Sequence, residues 1–303
     1  MVNDLESALK HTRCLLYADD LKLVCGIQED RDALSMQRDI DSLFQWSITN
    51  KLHFNTAKCS VMSFSRAHCP KHVEYNLGGE PIERVNTVRD LGVLFDARLN
   101  FHDHMRALAA DSYRRLGFVI RNMRDFNNPL AIKLIYMAHV RSKLESSAIV
   151  WNPYESTYAL LLERVQKVFL RFFYKKRFGY YPYLYPTKFL LGMLNFQSLE
   201  VRRNYSLLIF ACQALRGNSD CPEIVARVVR LFVPDVPRYQ LRPRNHCLLA
   251  VPSARTVSHA HSPLVRALTL LNDLLASSPE CDIFASNWKT VCKQCMQLCE
   301  SIQ

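Results

Sequence analysis

Two adjacent carboxylates, Asp19 and Asp20, are the residues of this chain whose type and position best suit catalysis. Apolar runs at 14–17 and 21–24 flank them, and this pattern predicts a β-hairpin with both acids at its tip. Adjacent carboxylates repel one another unless a cation or solvent offsets their charge. Phosphoryl-transfer enzymes use such groups to hold two Mg²⁺ ions, which activate the attacking hydroxyl and neutralise the leaving group. A polar hairpin tip without a catalytic role has the same local pattern.

The elements that would position this turn are a helix and several short strands. Apolar residues recur at helical spacing over 29–50, and 51–66 is strand-like. A Gly78-Gly79 turn then opens a second region of short strands that ends near residue 99. From 101 to 217 the pattern becomes helical. The sequence therefore predicts the α+β class, a mixed α/β part followed by a mainly helical part.

Prolines punctuate the chain beyond Gly217. We interpret 218–262 as extended backbone stiffened by proline, and we predict a terminal helix over 263–276. The predicted domains are thus 1–100, 101–217 and an extended tail at 218–303.

Composition narrows the range of partners. The chain has 303 residues, 49% of them hydrophobic, and a net charge of +11. So basic a chain points to nucleic acid or to an acidic membrane surface. The longest apolar run, 205–212, is far shorter than a bilayer crossing needs, so no membrane partner is expected. We expect no secretory signal, reduced cysteines and an intracellular location, nuclear or cytoplasmic.

The positive charge is concentrated in the helical part, where residues 105–203 hold 17 Lys and Arg against 6 Asp and Glu. One face of a predicted helix over 160–178 carries a repeating set of cations: Arg164, Lys167, Arg171 and Lys175. Such a face fits phosphate contacts, although a solvated helix face has the same pattern. The stretch 172–181 interleaves aromatic and basic residues and suits either stacking on bases or core packing.

Several motifs in register resemble the reverse transcriptases of non-LTR (LINE-type) retrotransposons. Tyr17-Ala18-Asp19-Asp20, followed by Leu-Lys-Leu, resembles the catalytic palm motif. Trp46, with 50–52 and 55–59, is similar to the next palm motif. The stretch 88–104 resembles the primer grip and the start of the thumb. The similarity in order and spacing covers roughly residues 1–200.

This resemblance implies an RNA-directed DNA polymerase that copies an RNA template from a DNA primer by two-metal nucleotidyl transfer. Asp19 would be a direct Mg²⁺ ligand, and Asp20 would lie beside it at the metal and the primer terminus. In the expected fold, a partial palm at 1–100 precedes a basic thumb at 101–217 and the proline-punctuated tail.

The resemblance also implies roles for residues around the acidic pair. Tyr17 and Ala18 would lie near the primer–template backbone. Leu91 and Gly92 would form the primer-grip turn, where glycine lets nucleic acid approach the backbone closely. Lys58 falls where related polymerases place a lysine near the departing pyrophosphate, but it fits an exposed turn lysine equally well.

The family completes its metal site with a third carboxylate, and that motif would precede Met1. Two aspartates supply too few ligands to fix two Mg²⁺ ions. We therefore expect the chain to be inactive without the upstream half of the polymerase in cis. Two alternatives remain: a non-catalytic, basic nucleic-acid-binding protein derived from such an enzyme, and a non-functional remnant of an element.

Four cysteines near the carboxyl end invite a zinc interpretation: Cys281, Cys292, Cys295 and Cys299. Their spacings match no common zinc pattern. The last three share one face of a helix at core-like spacing, which favours burial.

Overall fold

The structure is a computed structural model that describes residues 2–67, 72–126, 128–232 and 248–302. The chain is mixed α/β and mostly helical, in agreement with the predicted class in its coarse form. It divides into an N-terminal unit, 1–99, and a C-terminal unit, 100–303. Among the residues described, no helix has the length and apolar composition that a bilayer crossing requires.

An antiparallel hairpin of β1 (Arg13–Tyr17) and β2 (Asp20–Val24) lies near the start of the N-terminal unit, after a 3-10 helix at Val2–Ala8. Tyr17 lies opposite Asp20, so Ala18 and Asp19 form a two-residue turn. Ala18 has a φ of 53°, the left-handed conformation that such tight turns demand. The predicted hairpin with an acidic tip is confirmed.

Helix α1 (Asp30–Thr49) matches the helix predicted over 29–50. It buries Ala33 and Ile40 in a small core with Tyr75 and Leu77. The hairpin residue Leu23 packs against the same core. Burial of apolar surface in this shared core stabilises the packing of the hairpin against the rest of the unit.

Short two-stranded sheets make up the rest of the N-terminal unit. The pairs are β3 (Ser60–Val61) with β6 (Glu83–Arg84), β4 (Asn76–Leu77) with β5 (Glu80–Pro81), and β7 (Thr87–Asp90) with β8 (Val93–Asp96). The strand prediction for 51–66 is wrong outside β3, since only Ser60–Val61 pair as a strand and a 3-10 turn at Thr56–Lys58 precedes them.

Gly78 and Gly79 connect β4 to β5, as their sequence predicts. Gly78 has a φ of +62°, and a Cβ atom there would collide with the ring of Phe44 on α1. Only glycine meets both demands at this position.

Helices dominate the C-terminal unit, as predicted for 101–217. They are α2 (His102–Asn122), α3 (Pro129–Tyr136), α4 (Ser142–Glu145), α5 (Ala148–Trp151), α6 (Ser156–Phe178), α7 (Thr187–Leu194), α8 (Leu199–Leu215), α9 (Pro222–Val229), α10 (Val257–Ala260), α11 (Pro263–Ser277) and α12 (Trp288–Ser301). A π-helical turn, Met137–Arg141, joins α3 to α4. Within the unit, α6 buries Val165 and Phe169, and Phe169 stacks on Tyr136 with ring centroids 3.7 Å apart.

Within the described residues, the tail is partly helical and not the continuous extended segment that its prolines suggest. Helix α9 occupies 222–229, and two helices follow residue 262 rather than one: α11, close to the predicted bounds, and α12. Leu208 of α8, Leu271 of α11 and Val291 of α12 are buried in one apolar cluster. Residues 233–247, within the segment predicted to be extended, lie outside the described residues.

Candidate active site and basic surface

The acidic turn faces solvent. Asp19 and Asp20 are both exposed, and the side chain of Tyr17 is 62% exposed. Among the described residues, no group of three or more His, Cys, Asp or Glu side chains could hold a metal ion. The oxygen chemistry of two adjacent carboxylates suits Mg²⁺, but the pair is only part of an octahedral site.

A buried aspartate on α1 fixes the backbone that leads into β1. The carboxylate of Asp39 accepts hydrogen bonds from the amides of Lys10, His11 and Thr12 at 2.7–3.1 Å, and from Thr12 Oγ1 at 2.9 Å. Burial of Asp39 raises the pKa of its carboxyl, but these hydrogen bonds outweigh burial and hold the pKa below its ordinary value. The start of the acidic hairpin is thus held by a charged acceptor, a feature that the sequence did not predict.

A salt bridge connects the acidic hairpin to the turn between β7 and β8. Lys22 Nζ lies 2.6 Å from both carboxylate oxygens of Asp90, the residue before Leu91 and Gly92. Lys22 shares one face of β2 with Asp20, because side chains two apart on a strand point to the same side. The acidic turn and the Leu91-Gly92 turn therefore belong to two hairpins joined through side chains of Lys22 and Asp90.

The Leu91-Gly92 turn itself has the geometry of a two-residue connection. Leu91 has a φ of 43° and Gly92 a φ of +84°, and both residues are exposed. In the described part of the chain, a Cβ atom added at Gly92 would meet nothing within 4 Å, so the backbone is open on that side. A ligand can therefore approach this backbone closely.

Breaking the Lys22–Asp90 pair should loosen the link between the hairpins without unfolding the unit. The two side chains are 34% and 25% exposed, so we expect a coupling free energy of about 0.5–1 kcal/mol in a double-mutant cycle of Lys22→Ala and Asp90→Ala. Hydrogen exchange at the Leu91 and Gly92 amides would measure the loosening. The more exposed pair Arg31–Glu29 serves as control, with less coupling expected, and equal coupling in the two pairs would contradict this prediction.

Lys58 ends the 3-10 turn at Thr56–Lys58 and is exposed. Within the described residues, no hydrogen bond or salt bridge joins Lys58 to Asp19 or Asp20. The proposed position near pyrophosphate stays a prediction.

The basic face predicted on α6 divides into two parts. Arg164, Lys167 and Lys175 are exposed, and no acidic partner is recorded for them in the described part of the chain. Arg171 differs, because its guanidinium donates to the backbone carbonyls of Pro182 and Tyr185. Two nitrogens of Arg171 therefore hold the loop that follows α6. Its assignment to a phosphate contact stays a prediction.

Other arginines of the basic region are also engaged inside the unit. Arg202 pairs with Glu145, which also lies 3.5 Å from Arg141. Arg203 is 1% exposed and donates to Asn152 Oδ1 at 2.9 Å. The positive charge available to a ligand is therefore smaller than the excess of Lys and Arg counted in the sequence. The exposed cations of α6 provide part of this available charge.

The residues after α6 form a loop rich in tyrosine, 179–186, which we call the tyrosine loop. Gly179 ends α6 in the left-handed conformation with a φ of +82°. Tyr183 is 80% exposed and Leu184 is 93% exposed. The interleaved stretch 172–181 ends just before Tyr183 and Leu184. Sequence reasoning missed these two residues, because their exposure depends on the path of the loop.

Most of the carboxyl-terminal cysteines are core residues, as their helical spacing in the sequence indicates. Cys281, Cys295 and Cys299 are buried in the apolar cluster with Cys212 of α8. Within the described ranges, no set of these thiols forms a group able to hold a metal.

Comparisons with known proteins show that the chain is similar to a nematode protein. It is 27% identical over 150 residues to a Caenorhabditis elegans protein described as uncharacterized protein B0403.1. That similarity covers 50% of this chain and 74% of the nematode protein. No known family model matches the chain, and no solved structure matches it.

Proposed function

We propose that this chain is the palm-and-thumb portion of an RNA-directed DNA polymerase of the LINE type. The observation that carries the proposal is the Lys22–Asp90 salt bridge, which joins the acidic hairpin to the hairpin that bears Leu91 and Gly92. In a polymerase the metal site and the support of the primer end must lie together, and a link between these two hairpins serves that requirement. The tight turns at both positions support it further.

In this proposal Asp19 and Asp20 hold Mg²⁺ with a third carboxylate from another segment. When bound, Mg²⁺ stabilises the charge that develops during nucleotidyl transfer. The two carboxylates have a fixed position for holding the ion, because they lie on a short turn between paired strands. Asp39 helps to keep that turn in place by holding the backbone before β1.

Leu91 and Gly92 would support the primer strand. Their exposed backbone allows sugar and phosphate groups to approach, and Lys22 neutralises Asp90 next to them. Tyr17, the last residue of β1, is exposed and would contact the primer–template backbone. In each of these roles the residue binds the primer strand or positions it, and no covalent bond forms between protein and nucleic acid.

The exposed cations of α6 indicate a polyanionic partner. We propose that this partner is the RNA–DNA hybrid. Arg164, Lys167 and Lys175 recur at helical spacing and would follow a phosphate backbone. The same observation favours a second candidate function, a basic nucleic-acid-binding protein without catalysis. The two functions differ only in whether Asp19 and Asp20 bind metal.

Binding of Mn²⁺, a paramagnetic substitute for Mg²⁺, tests the metal assignment directly. We expect weak binding, because two carboxylates are an incomplete site. Paramagnetic broadening of amide resonances should centre on residues 17–21 and should vanish in the Asp19→Asn/Asp20→Asn variant.

Asp41→Asn is the matched control, since Asp41 is an exposed acid on α1, and it should leave the broadening at the turn unchanged. Broadening that persists in the double variant would refute the metal site and leave the non-catalytic function. Primer extension by any preparation of the chain, with or without an added upstream segment, must likewise be lost in the double variant.

A further inference from the structure

The tyrosine loop presents an unusual amount of apolar surface to solvent. Besides Tyr183 and Leu184, the rings of Tyr180 and Tyr181 are 51% and 39% exposed. Exposed apolar groups clustered on one loop typically mark an interaction site. Loops of this kind carry binding functions when a rigid scaffold positions them.

Several hydrogen bonds hold the backbone and side chains of the tyrosine loop in place. Arg171 holds the carbonyls of Pro182 and Tyr185. The hydroxyl of Tyr180 lies 2.6 Å from that of Tyr174 and 3.2 Å from that of Tyr185. The exposed rings therefore rest on an ordered backbone, and a ligand that stacks on them loses little affinity to ordering the loop.

The geometry of the rings suits flat ligands beside phosphate groups. Tyr181 and Tyr183 have ring centroids 4.6 Å apart and tilted by 54°, and the Arg171 guanidinium lies 5.9 Å from the Tyr181 ring. Two exposed cations, Lys175 and Arg177, lie in the last turn of α6, directly before the loop. Aromatic rings next to cations bind unpaired nucleobases and the phosphates that link them.

We propose that the tyrosine loop binds single-stranded nucleic acid, with bases stacked on Tyr183 and Tyr181 and phosphates at Lys175 and Arg177. The inference rests on the proposed function for the presence of nucleic acid, and it adds a site for the unpaired strand. Bases inside a duplex already stack on one another, so the loop selects a strand that is not paired.

Fluorescence anisotropy with two labelled probes tests the site on the full chain. The probes are a single strand of about 12 nucleotides and an RNA–DNA hybrid of the same length. Tyr181→Ala/Tyr183→Ala should weaken binding of the single strand on the order of 10-fold or more, because stacking contributes at each base. Hybrid affinity should change less than about 2-fold, since the cations of α6 remain.

Matched variants separate stacking from other effects. Tyr183→Phe keeps the ring and should restore most of the single-strand affinity, whereas loss in this variant would point to the hydroxyl and overturn stacking. Tyr113→Ala removes an exposed tyrosine of α2 and should have no effect. Circular dichroism of each variant checks that the unit stays folded.

The possible outcomes distinguish the loop from the polymerase assignment. Unchanged single-strand binding in Tyr181→Ala/Tyr183→Ala overturns the loop site, while the Mn²⁺ result at Asp19 and Asp20 is independent of it. Self-association of the wild-type chain that is lost in Tyr183→Ala, with oligonucleotide binding intact, would assign the loop to an interface between copies and also overturn the proposal.

Discussion

Replacing Arg164, Lys167 and Lys175 together by glutamate is expected to weaken binding to an RNA–DNA hybrid by at least two orders of magnitude at moderate salt. Each cation that contacts a phosphate releases a counterion, and each reversal also adds repulsion. The logarithm of affinity should also depend less steeply on the logarithm of salt concentration, with a slope smaller by about 2–3 for three contacts. Salt titration of the hybrid affinity measures both effects.

Arg171 is left unchanged in this experiment because it holds the tyrosine loop. The control reverses three exposed cations elsewhere in the same unit, Arg227, Lys289 and Lys293, and so makes the same change in net charge. An equal loss of affinity in the control would show that total charge, and not the α6 face, attracts the nucleic acid. Unchanged binding after the α6 reversals would move the surface elsewhere.

Asp39→Ala is expected to destabilise the N-terminal unit by about 3 kcal/mol, because three backbone amides near the start of β1 lose a charged acceptor. Hydrogen exchange at the His11 and Thr12 amides should accelerate by about 100-fold if they open with the unit. Asp41→Ala, an exposed residue two positions away, should change stability by less than about 0.5 kcal/mol.

The pH dependence of this effect has a definite sign. The pKa of the Asp39 carboxyl is lower in the folded chain than in the unfolded chain, where aspartate titrates near 3.9. Its charge therefore contributes fully to stability above about pH 4, and the contribution is lost as the pH falls through the folded pKa. The difference between the wild type and Asp39→Ala should be constant from about pH 7 to 5 and should narrow in stronger acid. A difference that widens in acid would contradict the assignment.

Local patterns in the sequence predicted the elements that depend on local chemistry. The acidic hairpin follows from two apolar runs around a polar pair, and α1 follows from helical spacing between Leu34 and Ile48. The Lys22–Asp90 salt bridge could not be predicted in this way, because its partners are 68 residues apart. The same is true of the Asp39 site, where an acid on a helix satisfies the backbone of a distant segment.

The error in the tail has an equally specific cause. Pro222 was interpreted as a mark of extended backbone, yet it occupies the first turn of α9, where its missing N–H has no helical partner to lose. The contacts of Arg171 could not be predicted either, because its long side chain reaches carbonyls 11 to 14 residues further along the chain. Periodicity places a side chain on a helix face and cannot tell which neighbour it will meet there.

The cluster of thiols in the C-terminal core gives that unit a built-in reporter of its own opening. Cys295 is fully buried and Cys299 is 1% exposed, and burial raises the pKa of Cys299 to about 11. A thiol reagent modifies only an accessible thiolate, so the closed unit protects both residues sterically and chemically. The labelling rate in native buffer then converts to an opening free energy, measured residue by residue without any introduced probe.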